Sequence, residues 1–260
     1  MVSTRPCLNF GGPTSALQLA LPPQLEIPLP LDASALAALE VWRGRPGEIF
    51  TVSAPDGGCY RARLHRDDLG ALQLIPFAAV PDPEMPVRLT LFQALPEKER
   101  FELILQKGVE LGAAEIVPFH SRHSTRLAER DARQRKSHRW PEVILRAARQ
   151  SRRRLVPGLF PVLDWSEMLS LASRSERACI CHPAPSARPL LDLLASDLPA
   201  SLALIVGPEG GFSDLEVSQA LDAGCELVAL GPRLLRTETA AICALSLAAA
   251  ALERAAMEHD

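Results

Sequence analysis

The chain has 260 residues, 47% of them hydrophobic and 23% charged, with a net charge of -3 at pH 7. That length and apolar content point to a globular protein of one large domain or two modest ones. The longest apolar stretch, residues 240–252, is short of a membrane span, and Pro22-Pro23 interrupts the apolar residues after Leu17, so neither a membrane helix nor a secretory leader is expected and the cytoplasm is the expected compartment.

Taken from the N-terminus, residues 36–42 look helical, and Arg43-Gly-Arg-Pro-Gly47 reads as the turn that follows. The runs 48–53, 59–64 and 72–80 have β texture, with Pro55-Asp-Gly-Gly58 as a hairpin signal, and together suggest a small β-barrel. The Pro-rich segment Val80-Pro-Asp-Pro-Glu-Met-Pro86 reads as a linker, which predicts a first domain over 1–83 and a second over 84–260.

Beyond the linker, strand signals at 87–92, 115–119, 178–182, 202–206 and 226–230 alternate with helical ones at 97–111, 139–150, 165–172, 189–194, 214–223 and 239–256. Such alternation predicts an α/β domain with a parallel sheet. In 139–150, Trp140, Val143, Ile144 and Ala147 recur at helical spacing, leaving Arg139, Arg146 and Arg149 nearer the other face. Gly224 is placed to end its helix.

The six cysteines are scattered over a chain too large to need disulfide staples, so they read as free thiols. Cys179-Ile-Cys181-His182 has no second pair at zinc spacing, and no metal is expected. Charge is unevenly spread. Residues 122–154 hold twelve Lys or Arg against Glu129, Asp131 and Glu142, a local +9 that leaves -12 for the rest. A solvated helix face is one reading of this run. The arginines at 149, 152, 153 and 154, with no acid between them, favour a polyanion such as nucleic acid.

Two segments near the C-terminus carry the chemistry. Leu204-Ile-Val-Gly-Pro-Glu-Gly-Gly-Phe212 and Leu230-Gly-Pro-Arg-Leu-Leu-Arg-Thr-Glu-Thr-Ala240 each read as a buried strand, a glycine turn and a helix start, the edge at which α/β sheets hold ligands. Ser213-Asp-Leu-Glu216 suits a capping box. Phosphate loops, dinucleotide fingerprints and the Gly-x-Ser-x-Gly elbow are all absent.

With Lys107-Gly-Val-Glu-Leu-Gly112 upstream, these loops resemble those of the ribosomal RNA small-subunit methyltransferase E family, RsmE, of the SPOUT methyltransferase class. The resemblance runs from Val87 to Leu252 and more weakly through Val41-Trp-Arg-Gly-Arg-Pro-Gly47. It implies an α/β fold with a deep trefoil knot and a parallel sheet, preceded by a small PUA-like RNA-binding β-barrel. It also implies S-adenosylmethionine as cofactor, 16S ribosomal RNA in the small ribosomal subunit as partner, and a homodimer.

By that resemblance Gly207, Pro208, Glu209, Gly210 and Gly211 form one cofactor wall, Leu230, Gly231, Pro232, Leu234 and Leu235 another, and His182-Pro183 a third loop. Glycines let backbone approach a ligand closely, and backbone groups can read an adenine edge. The implied reaction is methylation at N3 of a uridine, whose imide must lose its proton. Arg236 is the first candidate to stabilise the uridine anion or hold a phosphate. Glu238 either orients Arg236 or serves as a helix N-terminal acid, and Thr237 reads as an N-cap with a second role in the pocket.

Arg43, His123, Arg149, Arg152 and Arg153 are the candidate RNA contacts. Arg149 and Arg152 stand where the family commonly has Glu and Gly, which leaves the backbone at 152 open. Two alternatives compete with the rRNA enzyme: a non-catalytic RNA-binding assembly factor with a vestigial pocket, and the same chemistry on transfer RNA.

Overall fold

A computed structural model describes residues 10–96, 98–128, 139–196 and 198–257. The chain divides into two compact units, a smaller one of Phe10–Glu84 with Ile144–Gly158, and a larger one built on Met85–Val143 and Leu159–Asp260.

In the smaller unit, β1 (Leu29–Pro30) and α1 (Ala33–Trp42) precede β2 (Ile49–Ser53), β3 (Cys59–Arg66) and β4 (Leu72–Val80). The strands form an antiparallel sheet in the order β1-β4-β3-β2. Helix α1 starts three residues before the predicted 36 because the Asp32 side chain accepts the Ala35 N–H at 2.7 Å. It stops at Arg43, whose φ of 49° is left-handed. The predicted hairpin closes through Gly57, at φ 85°, with the Ala54 N–H donating to the Gly58 carbonyl. Alternation sorts the sheet: Phe50, Val52, Ala62 and Leu64 are buried on one face, while Thr51, Arg61 and Arg63 share the other. Trp42 sits edge-on to Phe50 and donates its indole N–H to the Ser15 carbonyl.

The larger unit contains β5 (Arg88–Ala94), α2 (Lys98–Glu110), β6 (Glu115–Phe119), the first turn of α3 (Trp140–Gln150), and α4 (Trp165–Ala172). There follow β8 (Arg177–Cys181), β9 (Arg188–Pro189), α5 (Leu190–Ser196), β10 (Ser201–Val206), α6 (Asp214–Asp222), β11 (Glu226–Ala229) and α7 (Thr237–Met257). With β7 (Gly158–Leu159) they build a seven-stranded sheet in the order β7-β6-β5-β10-β8-β11-β9. The pairings from β6 through β9 are all parallel. Covered on both faces, β10 is an unbroken apolar run, with Leu202 to Val206 all buried. Phe92, Val117, Phe119, Ile180 and Ile205 centre the core.

Two expectations change in detail. Pro189 does not open a helix but ends the short edge strand β9, a position that needs no donated hydrogen bond. Helix α7 begins at Thr237, two residues before the predicted 239. At 21 residues and a mean hydropathy of 1.5, α7 is long and apolar enough to cross a membrane. Its stripe of Ala241, Ala244, Leu245, Ala248 and Leu252 is nevertheless buried at helical spacing, as in the core helix of a folded domain.

The strand order places the site. Because β10 inserts between β5 and β8, and β11 lies on the far side of β8, the loops leaving β8, β10 and β11 emerge side by side. They share the carboxyl edge of the sheet.

Candidate cofactor pocket

Those three loops enclose a cavity of about 600 Å³, within the range of sites that hold small ligands. After β10 come Gly207 to Gly211, with Gly211 at φ 68°. The chain then enters α6 through a complete capping box: Ser213 receives the Glu216 N–H, and the Glu216 carboxylate receives the Ser213 N–H at 2.8 Å. Glu216 also accepts the Arg122 N–H at 2.7 Å, so the box holds a second segment as well. After β11, Gly231 turns at φ 125° with open space where a side chain would project.

Of the predicted cofactor residues, His182, Pro183, Gly207, Pro208, Glu209, Gly210, Gly211, Leu230, Gly231, Leu234, Leu235 and Thr237 line the cavity, as does Arg236. Pro232 and Glu238 are not among its lining residues. The sequence reading missed Phe212 and Arg100. Phe212 supports the wall from behind: a Cβ on Gly207 would meet its ring at 3.1 Å, so only glycine fits without a shift. Its ring stacks with Phe119 and meets Trp165 at a tilt.

Thr237 occupies the first position of α7 and does not cap it. Its hydroxyl instead donates to the Gly207 carbonyl at 2.6 Å and accepts from Gln93 Nε2 at 3.1 Å. Glu238 is not turned to Arg236. Its carboxylate lies 3.8 Å from Arg100 Nε, and Arg100 Nη1 also donates to Glu209 at 2.8 Å. Arg100 thus joins an acid of each glycine loop's neighbourhood. The sign for it was faint: it lies seven residues before Lys107 on α2, hence on the same helix face.

Arg236 is exposed, and among the described residues its guanidinium has no carboxylate partner. His182 receives the Ala184 N–H on Nδ1 at 3.2 Å, which puts the proton of a neutral ring on Nε2 and leaves that atom a donor, not a base. Burial, followed by the nearby Cys243 thiol, pushes the Cys181 thiol up to about 12, so it stays protonated and is no nucleophile. The arrangement therefore offers a shaped apolar cavity with backbone polar groups and two exposed arginines, Arg233 and Arg236, at its lip. Among the described residues no three His, Cys, Asp or Glu side chains converge as a metal site.

His123 rests on the outside of the first loop. Its Nδ1 lies 3.2 Å from the Gly211 carbonyl, and a Cβ on Gly210 would meet the His123 Cβ at 2.8 Å. The other candidate RNA contacts belong to the smaller unit. Arg43 is exposed, at the left-handed end of α1. Arg149 donates to the Trp42 and Arg43 carbonyls and pairs with Glu48 at 3.2 Å, where a cation suits the helix C-terminus. Arg152 adopts φ 58°, the left-handed conformation that explains why glycine suits this position. Arg153 is only 4% exposed and grips Glu84 through Nε and Nη2.

Residues 83–249 match the family described as RNA methyltransferase domain. The chain is 33% identical over 92% of its length to ribosomal RNA small subunit methyltransferase E of Synechocystis, covering 78% of that protein. Among solved structures, it resembles a ribosomal RNA small subunit methyltransferase E from Neisseria gonorrhoeae bound to S-adenosyl methionine. That match has 30% identity and a TM-score of 0.60, over 88% of this chain and 94% of the other. A Legionella pneumophila protein described as a methyltransferase, solved with bound SAM, matches at 31% identity and a TM-score of 0.61, over 91% and 98% of the two chains.

Proposed function

This chain belongs to the ribosomal RNA small subunit methyltransferase E family, and from that premise we propose that it methylates N3 of a uridine in 16S ribosomal RNA of the small ribosomal subunit. It is an S-adenosylmethionine-dependent rRNA methyltransferase. The observation that carries the reading is the pair of glycine loops walling one cavity, with Arg236, which has no carboxylate partner among the described residues, at its lip.

The residues fit the cofactor: the cavity is large enough, and glycines at 207, 210 and 211 bring peptide groups to its surface. When bound, S-adenosylmethionine supplies an electrophilic methyl carbon. The protein's part is alignment and charge. Gly207 to Gly211 and Leu230 to Leu235 hold the donor mainly through backbone, and Thr237 locks the two walls together through Gly207. Arg236 places a fixed positive charge where the uridine imide loses its proton to water or hydroxide, stabilising the anion that attacks. Glu209 and Glu238 are held by Arg100 and stay off Arg236. The target base leaves its stack to enter.

The smaller unit acts as a PUA-like RNA-binding β-barrel domain, over about the first 83 residues with the 144–158 segment added, and the larger as a SPOUT domain with a trefoil knot. Its four-stranded antiparallel sheet and basic segment support the first assignment; the late insertion of β10 and the crowded C-terminal loops support the second. A homodimer is supported by α7, of whose most apolar window only 28% is buried within the chain. The enzyme works in the cytoplasm, where its substrate is.

Radiolabelled methyl transfer to unmodified small subunits, followed by mapping of the modified base, tests the assignment. Label at a single uridine N3 supports it. Label in no RNA overturns it, and label in transfer RNA alone replaces the substrate.

A further inference from the structure

In the smaller unit, most of the cationic run is already neutralised. Arg149 pairs with Glu48, Arg153 with Glu84, and Arg154 with Asp82 at 3.0 Å. Like the exposed Arg146, Arg152 is not so paired among the described residues. Its side chain is exposed, and among the described residues it has no carboxylate partner.

Arg152 has a neighbour of the same sign. The buried Thr51 hydroxyl donates to the Arg152 carbonyl at 2.8 Å and accepts from Arg61 Nη1 at 2.6 Å, so one hydroxyl joins the β3 guanidinium to the arginine-rich turn. Thr51 and Arg61 are directly opposed across β2 and β3. Burial, followed by the charge of Arg152, pulls the Arg61 guanidinium below its ordinary value, and no carboxylate offsets either cause. Two positions along the same face, Arg63 lies over the Phe77 ring at 5.7 Å. The charge of Arg152 thus acts on Arg61, with the cation Arg63 on the same face of the sheet, and a bound anion would offset that repulsion.

We propose that Arg61 and Arg152 form a subsite for a backbone phosphate of the RNA, on the outer face of the β1–β4 sheet. The inference rests on the RNA-methyltransferase reading above. Arg61 has donors to spare once Thr51 has taken one, and the Arg152 side chain is exposed at a left-handed turn whose carbonyl Thr51 holds. One phosphodiester oxygen pair accepts from both. The contact positions RNA without reading its sequence.

The test is binding of full-length protein to unmodified small subunits and to a fluorescein-labelled single-stranded RNA, each measured across a salt series. Arg61→Gln and Arg152→Gly are expected to weaken binding several-fold and to lower the slope of log affinity against log salt by about 0.7 to 0.9. Glycine keeps the backbone conformation at 152, so that variant folds. The double variant should lose little more than either single one, because both arginines share one phosphate. Arg66→Gln, which removes the same charge elsewhere on β3, is the control and should leave the slope unchanged. Inorganic phosphate at millimolar levels should compete weakly; competition as strong as that of RNA would make the site one for free phosphate and overturn the proposal. Unchanged affinity and slope in both variants would overturn it too. If wild-type protein methylates small subunits while the variants bind RNA normally, only this subsite fails. Absence of methyl transfer by wild type removes the enzyme reading instead.

Discussion

The Thr237 hydroxyl donates to the Gly207 carbonyl at 2.6 Å, and that bond ties the start of α7 to the end of β10. It is one link between the two glycine loops, made by a residue that the sequence reads as an N-cap with a second role in the pocket. Replacing Thr237 with Val keeps the shape and removes the hydroxyl, leaving the Gly207 carbonyl to the longer, 3.4 Å bond from Gln93 Nε2 and depriving Gln93 of its Thr237 acceptor at a buried site. The expected loss is about 1–3 kcal/mol of stability, with S-adenosylmethionine binding weakened about tenfold by calorimetry. Thr237→Ser should restore most of both.

Arg236→Ala should leave cofactor affinity and far-UV circular dichroism as they are, since the side chain is exposed and pairs with no carboxylate among the described residues. Methyl transfer to small subunits should fall about 100-fold or more, the cost of removing one charge-stabilising group from a transition state. Unchanged turnover would take Arg236 out of the chemistry.

Gly210→Ala should disturb the cofactor wall from outside. The added Cβ would come within 2.8 Å of the His123 Cβ, and neither atom moves without its backbone. Weaker S-adenosylmethionine binding is expected, and partial recovery in the double variant Gly210→Ala with His123→Gly. Without that recovery, the contact is not the cause.

Glu84 and Arg153 form a largely buried ion pair in the smaller unit, 2.5 Å apart. Besides Arg153, the Glu84 carboxylate accepts the Arg154 and Leu155 N–H groups at 2.8 and 3.1 Å. Glu84→Ala would take the Glu84 carboxylate away from a guanidinium that is 4% exposed, costing about 3–5 kcal/mol in urea unfolding followed by tryptophan fluorescence. Asp82→Asn, which breaks the more exposed pair with Arg154, should cost less than about 1 kcal/mol. Equal losses would mean that burial does not separate the two.

What the amino-acid order decided by itself is local. The hairpin at Pro55-Asp-Gly-Gly58, the capping box from Ser213 to Glu216, the alternation of strands with helices, and the glycine turns after β10 and β11 all follow from backbone geometry that few residue types tolerate, so composition at those points carries the answer. Partners distant in sequence are another matter. Nothing in the run of arginines at 149, 152, 153 and 154 announces that Glu48, Glu84 and Asp82, some seventy to a hundred residues earlier, claim three of them and leave the fourth beside Arg61. In the same way Arg100 on α2 reached the acids beside both loops only once the sheet order had brought them together. A charge acts through distance in space and its surrounding burial, and both are set by the packed chain, not by its order.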